Sequence, residues 1–468
     1  MRAVRRWSTL PPELLVLTAL SFLTRGWRLF TPGEIVWDEL HFEFFASRYF
    51  NGAFYFDVHP PLGKLLFAAE AWLLRVPGQQ LIDAVSAPQL RLLPALAGAL
   101  IIPTFWYFLR ELGANRRVAL FGATLLLLDN ALLVLSRFVL MDSMLTWFGL
   151  AAVTAFLAAR RHDGRSRFAW LAAAALLGGA AASVKWTGLT ALGLMGFVWL
   201  VDLWRERPVR VTRRLAELLV LVAVPAAVYL GSFAVHFALL PNEGMGTHEM
   251  SPAFAATRVG NPAYKPGNTM PFVDEVVDLH HAMTRVNLMW ATDSNPGASK
   301  WYTWPISKHP VAMWTDDHAN GDRNWILLQG NPVLWWGILV GLALFVVALA
   351  LRRTTVGAHR DVLLFLLAGY VMNFVPFAFI TRPMYLYHYF FGLLYSLALA
   401  TFATASLAGW HGADDDAPWR FPSRWSRGAW LGVIALVAVS FVYFAPLSYG
   451  TRLSPEALWH RRWILERH

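Results

Sequence analysis

From Trp37 to Lys64 the chain reads WDELHFEFFASRYFNGAFYFDVHPPLGK. Asp38, Glu39, His41, Glu43, Asp57, His59 and Lys64 crowd this stretch, interleaved with Phe, Tyr and Trp and carrying a Pro-Pro pair near its end. A solvated loop would favour Ser, Gly and Asn instead. Ionisable groups gathered directly after an apolar run mark a working site at a membrane surface.

The rest of the chain fits that setting. Its 468 residues are 57 % hydrophobic and 15 % charged, against about 25 % charged in an average soluble domain. The net charge of +10 comes almost wholly from arginines clustered between apolar runs, the positive-inside pattern of a multispan membrane protein. No basic stripe on a soluble face suggests a nucleic-acid partner. The absence of cysteine excludes disulfides, thiolate chemistry and Cys-based metal sites. Abundant arginine and alanine suggest a bacterial source. The opening MRAVRRWSTL resembles a signal peptide, but Arg25 and Arg28 fall in the apolar run and no small-x-small cleavage site follows. It reads as a first transmembrane helix that stays in place.

A membrane-crossing helix needs about 20 mostly apolar residues. Eleven candidate spans result: 12–30, 90–110, 117–135, 138–160, 168–183, 187–204, 215–238, 333–351, 361–380, 384–408 and 429–446. Arginine clusters precede the first span (Arg2, Arg5, Arg6) and then recur in alternate connections, at 116–117, 160–167, 205–214, 352–360 and 420–427, with one acidic interruption at Asp414–Asp416. This places the N-terminus in the cytoplasm and the 447–468 tail outside. The opposite face carries the 31–89 loop, the long 239–332 loop and the turns at 136–137, 185–186 and 381–383. The apolar stretch 64–76 is too short to span and reads as an interfacial helix. The chain is thus one all-α polytopic membrane domain, 1–468, in a multi-pass arrangement with its site on the extracytoplasmic side.

Asp38 and Glu39 are adjacent, so on a helix they point about 100° apart and cannot share one proton-transfer task. One suits a base, the other an orienting or acceptor-binding role; a helix N-cap is the structural alternative for Asp38. In FDVHPPLGK, Pro60 forces an extended backbone on His59 and so aims it, with Asp57 and Lys64 alongside. Arg91 opens LRLLPALAG, Arg137 and Asp142 sit in SRFVLMDS, Lys185 in SVKWTG and Arg382 in TRPMYLYHY. Singly, such charges snorkel at span ends. Together on the carboxylate face, they suit the phosphate of a lipid-linked substrate, held by charge-assisted bonds. Histidines 248, 280, 281, 309 and 318 fit no metal-ligand spacing. No cofactor is read, though the sequence leaves a divalent metal open.

These motifs resemble the protein O-mannosyltransferases of the GT-C glycosyltransferase fold. WDELHF, FDVHPPLGK, RLLPALAG, LLLLDN with SRFVLMDS, SVKWTGL, TWP at 303–305, GNPVLWW at 330–336 and RPMYLYHYFFGL at 382–393 carry the likeness, in order, from residue 37 to residue 393. The resemblance implies inverting transfer of mannose from a polyprenyl-phosphate carrier to Ser or Thr of a translocated polypeptide. It also implies an eleven-span fold in a bacterial cytoplasmic membrane, and leaves contact with the protein-translocation machinery open. Asp38 would be the base. Arg91, Lys185 and Arg382, with Tyr387, His388 or Tyr389, would hold the phosphate, and Asp57 and His59 would orient the first group or the sugar. Eukaryotic members carry a β-trefoil MIR domain in the long loop; the roughly 90 residues here are too few to hold one. Glu43 stands where the family often has glycine, and the sequence gives it no role. Two rivals remain at this point. A GT-C transferase acting on a lipid or cell-wall glycan would use the same carrier chemistry. A transporter would show matching halves and mid-membrane polar groups, and this chain shows neither.

Overall fold

The computed structural model describes residues 10–82, 87–289, 297–352, 354, 357–412 and 417–462. Arg2, Arg5, Arg6, Arg353 and the acidic run Asp414–Asp416 lie outside the described residues.

The chain is helical almost throughout. It opens with α1 (Pro12–Gly26), α2 (Glu39–Asn51), α3 (Leu62–Leu73) and the short α4 (Gly78–Ile82). The bundle continues with α5 (Leu92–Glu111), α6 (Arg116–Leu127), α7 (Asn130–Leu135), α8 (Asp142–Ala159), α9 (Gly164–Val184), α10 (Leu189–Arg205) and α11 (Val211–Leu239). The long loop holds α12 (Pro252–Ala255), the 18-residue α13 (Phe272–Met289) and a hairpin of β1 (Val311–Asp317) and β2 (Arg323–Leu328). Then follow α14 (Pro332–Ala350), α15 (Arg360–Phe374), α16 (Phe390–Leu407), α17 (Arg424–Tyr449), β3 (Arg452–Leu453) and α18 (Pro455–Trp459).

Among the described residues nine helices are long and apolar enough to cross a membrane. The two expected spans missing from that set are the first and the third. α1 has only 15 residues, about 22 Å at 1.5 Å per residue, short of a bilayer core of about 30 Å. Yet it runs from one end of the bundle to the other: Glu13 pairs with Arg116 at one end, and the carbonyls of Trp27 and Arg28 accept from Arg137 at the other. The third is broken after Leu127. Asp129 restarts it, accepting the Leu132 N–H at 2.7 Å and the Trp335 indole N–H at 2.6 Å. Asn331 donates to the freed Leu128 carbonyl at 2.9 Å. Non-helical backbone at membrane depth is tolerated where protein satisfies it in this way.

The basic connections meet on one rim. Arg160 pairs with Asp202, Arg161 with Glu111, Arg167 with Glu217, and Arg214 with both Glu206 and Glu217. α8 and α16 are largely buried inside the bundle, whereas α11, α14 and α15 turn most of their apolar surface outward, as lipid-facing helices must. The tail departs from a simple extension, because β3 folds back to pair with β2.

Candidate active site

At the rim opposite the arginine clusters, the backbone is held in an uncommon conformation just before α2. Trp37 has φ +52°, a left-handed region that a bulky side chain rarely adopts and that recurs at functional sites. Two neighbouring carboxylates follow it, Asp38 at the N-cap and Glu39 at the first position of α2.

Glu39 turns inward and is fully buried. Its oxygens accept from Arg91 Nε at 2.8 Å and Nη2 at 2.7 Å, from Val36 N–H at 2.8 Å and from Val139 N–H at 2.8 Å. Arg91, also fully buried, donates further to the carbonyls of Pro32 at 2.6 Å, Glu34 at 3.0 Å and Leu29 at 3.4 Å, which uses all five of its N–H groups. The bidentate pair is therefore saturated, which is the condition under which a buried ion pair holds. Arg91, expected at the phosphate, thus has no donor left for one, and Glu39, expected beside Asp38 in an orienting or acceptor-binding role, is wholly engaged by Arg91 and two backbone N–H groups. Together they tie the 31–38 loop to the start of α5.

Asp38 has no ion pair among the described residues. Burial raises its carboxyl above the ordinary value, opposed by the positive fields of His41 and Lys185 and reinforced by Asp142. Lys185 donates to both Asp142 oxygens, at 2.8 and 2.9 Å, and lies 5.7 Å from the Tyr387 ring. It stands at the turn between α9 and α10, where Gly188 is required: a Cβ there would sit 2.3 Å from the Ala181 carbonyl carbon.

The FDVHPPLGK motif closes on itself. Lys64 donates to Asp57 Oδ2 at 2.5 Å and to the His59 carbonyl at 2.6 Å, so it is engaged in holding the loop. The His59 imidazole is driven well below its ordinary pKa by burial and by the fields of Lys185, Arg382 and Lys64. Burial and these positive fields favour the neutral form of the His59 ring. Arg382 donates to Asn287 Oδ1 of α13 at 2.7 Å and is less than half exposed.

Behind these charges stands a series of near-parallel rings. Tyr385 and Tyr387 are 5.3 Å apart, Tyr387 and His388 4.8 Å, and His388 and Trp304 6.0 Å. Trp37 meets Tyr385 edge-on at 5.9 Å. Tyr389 is not part of this series. It points into the bundle, against Ser396, Trp335 and Phe374, contrary to its expected place at the phosphate. Arg137 is also displaced from that role: buried, it donates to the carbonyls of Ser448 at 2.6 Å and Arg28 at 2.7 Å.

The structure therefore brings together Asp38, Asp57, His59, Lys64, Asp142, Lys185, Arg382, Tyr387 and His388. Sequence reasoning passed over Trp37, Tyr385 and Asn287. The first two lie inside quoted motifs, next to residues that were singled out. Asn287 gives no local signal, since only the packing of α13 brings it to Arg382.

Known proteins resemble this chain in sequence and in fold. The profile of the family described as dolichyl-phosphate-mannose-protein mannosyltransferase matches residues 15–241, and that of the C-terminal four-transmembrane region of protein-O-mannosyltransferase matches 272–467. Protein O-mannosyltransferase 1 of Drosophila melanogaster is 37 % identical over 263 residues, covering 52 % of this chain and 30 % of its own. Dolichyl-phosphate-mannose--protein mannosyltransferase 2 of Candida albicans is 29 % identical over 340 residues, covering 68 % and 43 %. This chain thus spans less than half the length of these relatives. Among solved structures, the Saccharomyces cerevisiae protein O-mannosyltransferase Pmt1-Pmt2 complex bound to the sugar donor superposes with a TM-score of 0.84 at 17 % identity, covering 98 % of this chain and 93 % of that one. ArnT from Cupriavidus metallidurans bound to undecaprenyl phosphate gives 0.52 at 18 %, covering 92 % and 70 %. These likenesses establish a GT-C fold in a multi-pass membrane protein.

Proposed function

The chain belongs to the protein O-mannosyltransferase family, and from that premise we propose that it transfers mannose from a polyprenyl-phosphate carrier to Ser or Thr hydroxyls of polypeptides. One observation carries the reading: of two adjacent carboxylates, Glu39 is locked to Arg91 while Asp38 has no ion pair among the described residues and lies in the fields of Lys185 and of the aromatic series. A sugar linked to phosphate already has a good leaving group, so the reaction chiefly needs a base for a weak hydroxyl nucleophile.

In this reading Asp38 takes the hydroxyl proton as the oxygen attacks the anomeric carbon, and the bond from that carbon to the carrier phosphate breaks. Attack opposite the leaving group inverts the centre. A carboxyl raised by burial is a stronger base than an exposed one. Lys185 and Arg382 neutralise the departing phosphate, with His388 and Tyr387 beside them. Asp142 holds Lys185, and Lys64 holds Asp57 and the loop that presents His59. The reading invokes no metal.

The basic rim opposite the site supports a cytoplasmic N-terminus and an extracytoplasmic site in a bacterial cytoplasmic membrane. An acceptor arriving from the translocation machinery fits that side. The test is incubation of membranes with labelled polyprenyl-phosphate mannose and a Ser/Thr-rich peptide. Alkali-labile label on the peptide is expected; label found only in lipid or glycan would replace this reading with a lipid or cell-wall acceptor.

A further inference from the structure

Among the described residues, nothing pairs with one edge of the hairpin in the long loop. Its sheet has the order β1-β2-β3, so β2 is central, β3 covers only two residues of β2, and β1 is an outer strand. Pairing at the tip sets which groups face outward. The His318 N–H donates to the Asp322 carbonyl at 2.9 Å. In an antiparallel ladder hydrogen-bonded pairs alternate. With Asp316 opposite Asn324 and Trp314 opposite Ile326, these two pairs are the bonded ones. The N–H and C=O of Thr315 and Asp317 then point away from β2. Among the described residues no backbone hydrogen bond reaches them from any other segment. Thr315, Asp316 and Asp317 are all exposed.

This edge adjoins the site. The Trp314 indole N–H donates to the Glu34 carboxylate, and Glu34 lies four residues before Asp38. Four residues span at most about 14 Å, whereas an added strand of five residues runs roughly 17 Å. The Trp314–Glu34 contact thus ties β1 to the loop that leads into Asp38, and an added strand is of the same length scale as that loop.

We propose that the outer edge of β1 is the docking site for the acceptor, an extended Ser/Thr-containing polypeptide that adds as a strand and presents its hydroxyl to Asp38. This rests on the transferase reading above. Main-chain pairing gives affinity without demanding a particular sequence, which suits an enzyme acting on many polypeptides. The edge carries no charge at Val311–Thr315; a register shift between Ala312 and Trp314 confines its regular part to Trp314–Asp317.

The test uses membranes holding the full chain, with polyprenyl-phosphate mannose and a peptide containing one Thr. N-methylation is scanned along that peptide, removing one N–H at a time. Transfer is expected to fall about five-fold or more at alternate positions only, the worth of one hydrogen bond of about 1 kcal/mol. Thr315→Pro, which removes an outward N–H and leaves the ladder to β2 whole, should raise the acceptor KM by a similar factor with donor KM and kcat unchanged. A photo-crosslinker placed at Thr315 should capture the peptide. Efficient transfer with no two-residue period and no capture at Thr315 overturns the docking site while the transferase reading stands. Label that reaches lipid and never peptide overturns both. If Thr315→Pro fails to insert, the N-methyl scan on the wild-type protein decides alone.

Discussion

Asp38 and Glu39 are neighbours in the chain and opposites in the fold. Glu39 is fully buried and saturated by four donors from Arg91, Val36 and Val139. Asp38 is partly exposed, with no ion pair among the described residues. The first arrangement is one that builds a protein and the second is one that does chemistry. A carboxylate that accepts every available hydrogen bond cannot take a proton from a substrate, whereas one left short of partners can. Substitutions on the two sides of this divide should fail in different ways.

The largest effect falls on Asp38. Asp38→Asn keeps the size of the side chain but cannot accept a proton, so transfer at saturating donor should drop about 10²–10⁴-fold. Thermal unfolding in detergent should be unchanged, and donor binding retained. Near-wild-type turnover in a folded Asp38→Asn protein would remove the base from this residue.

Arg91→Ala should fail by unfolding. It leaves Glu39 charged and buried without its partner, a loss of about 3–5 kcal/mol for breaking such a pair. The yield of inserted protein and the unfolding temperature should both fall. Arg91→Lys should not restore them, because the two-pronged contact and the bonds to Pro32 and Glu34 need a guanidinium. A stable Arg91→Ala protein with only donor affinity weakened would return Arg91 to the phosphate.

That reversal shows what a sequence can and cannot carry. The membrane bundle, its basic rim and the gathering of charge after the first span follow from hydropathy and arginine spacing, which are local. Hydrophobic length alone did not show that the first helix has only 15 residues or that the third expected span breaks between α6 and α7, where Asp129 caps α7. The division between Arg91 and Lys185 was not legible. Both read as cations at span ends on one face, and only long-range packing makes Arg91 meet Glu39, 52 positions away, while Lys185 meets Asp142 beside Tyr387. Tyr389 shows the same limit at shorter range. It shares a motif with Tyr387 and His388, but one helical step turns it into the core.

On the active side, Arg382 offers a smaller and separable effect. Its partner is the neutral Asn287, and among the described residues no carboxylate bonds to it. Losing a charge-assisted bond to phosphate is worth about 1.5–3 kcal/mol, so Arg382→Ala should raise the donor KM roughly ten- to hundred-fold without lowering stability. Unchanged donor KM with a lower unfolding temperature would move Arg382 to the structural side, alongside Arg91.

The smallest effect belongs to Glu43, one turn after Glu39 on α2. It is buried, and among the described residues its oxygens accept only from the Ala87 N–H, at 3.4 Å each. Burial and the neighbouring charge of Glu39 push its carboxyl up to about 7, against an ordinary 4.5. The sign follows from proton binding. Between pH 4.5 and 7 the folded protein holds this proton more tightly than the unfolded chain, so stability from this group falls as pH rises through that window and levels off above it. Glu43→Gln holds a neutral group at all pH. It should therefore match wild type near pH 5 and exceed it near pH 8, by about 1–2 kcal/mol once local relaxation is allowed. Unfolding temperatures of the two proteins at both pH values measure this directly. Parallel curves would mean that Glu43 is already solvated or paired when ionised, and that α2 tolerates a charge one turn beyond its saturated carboxylate.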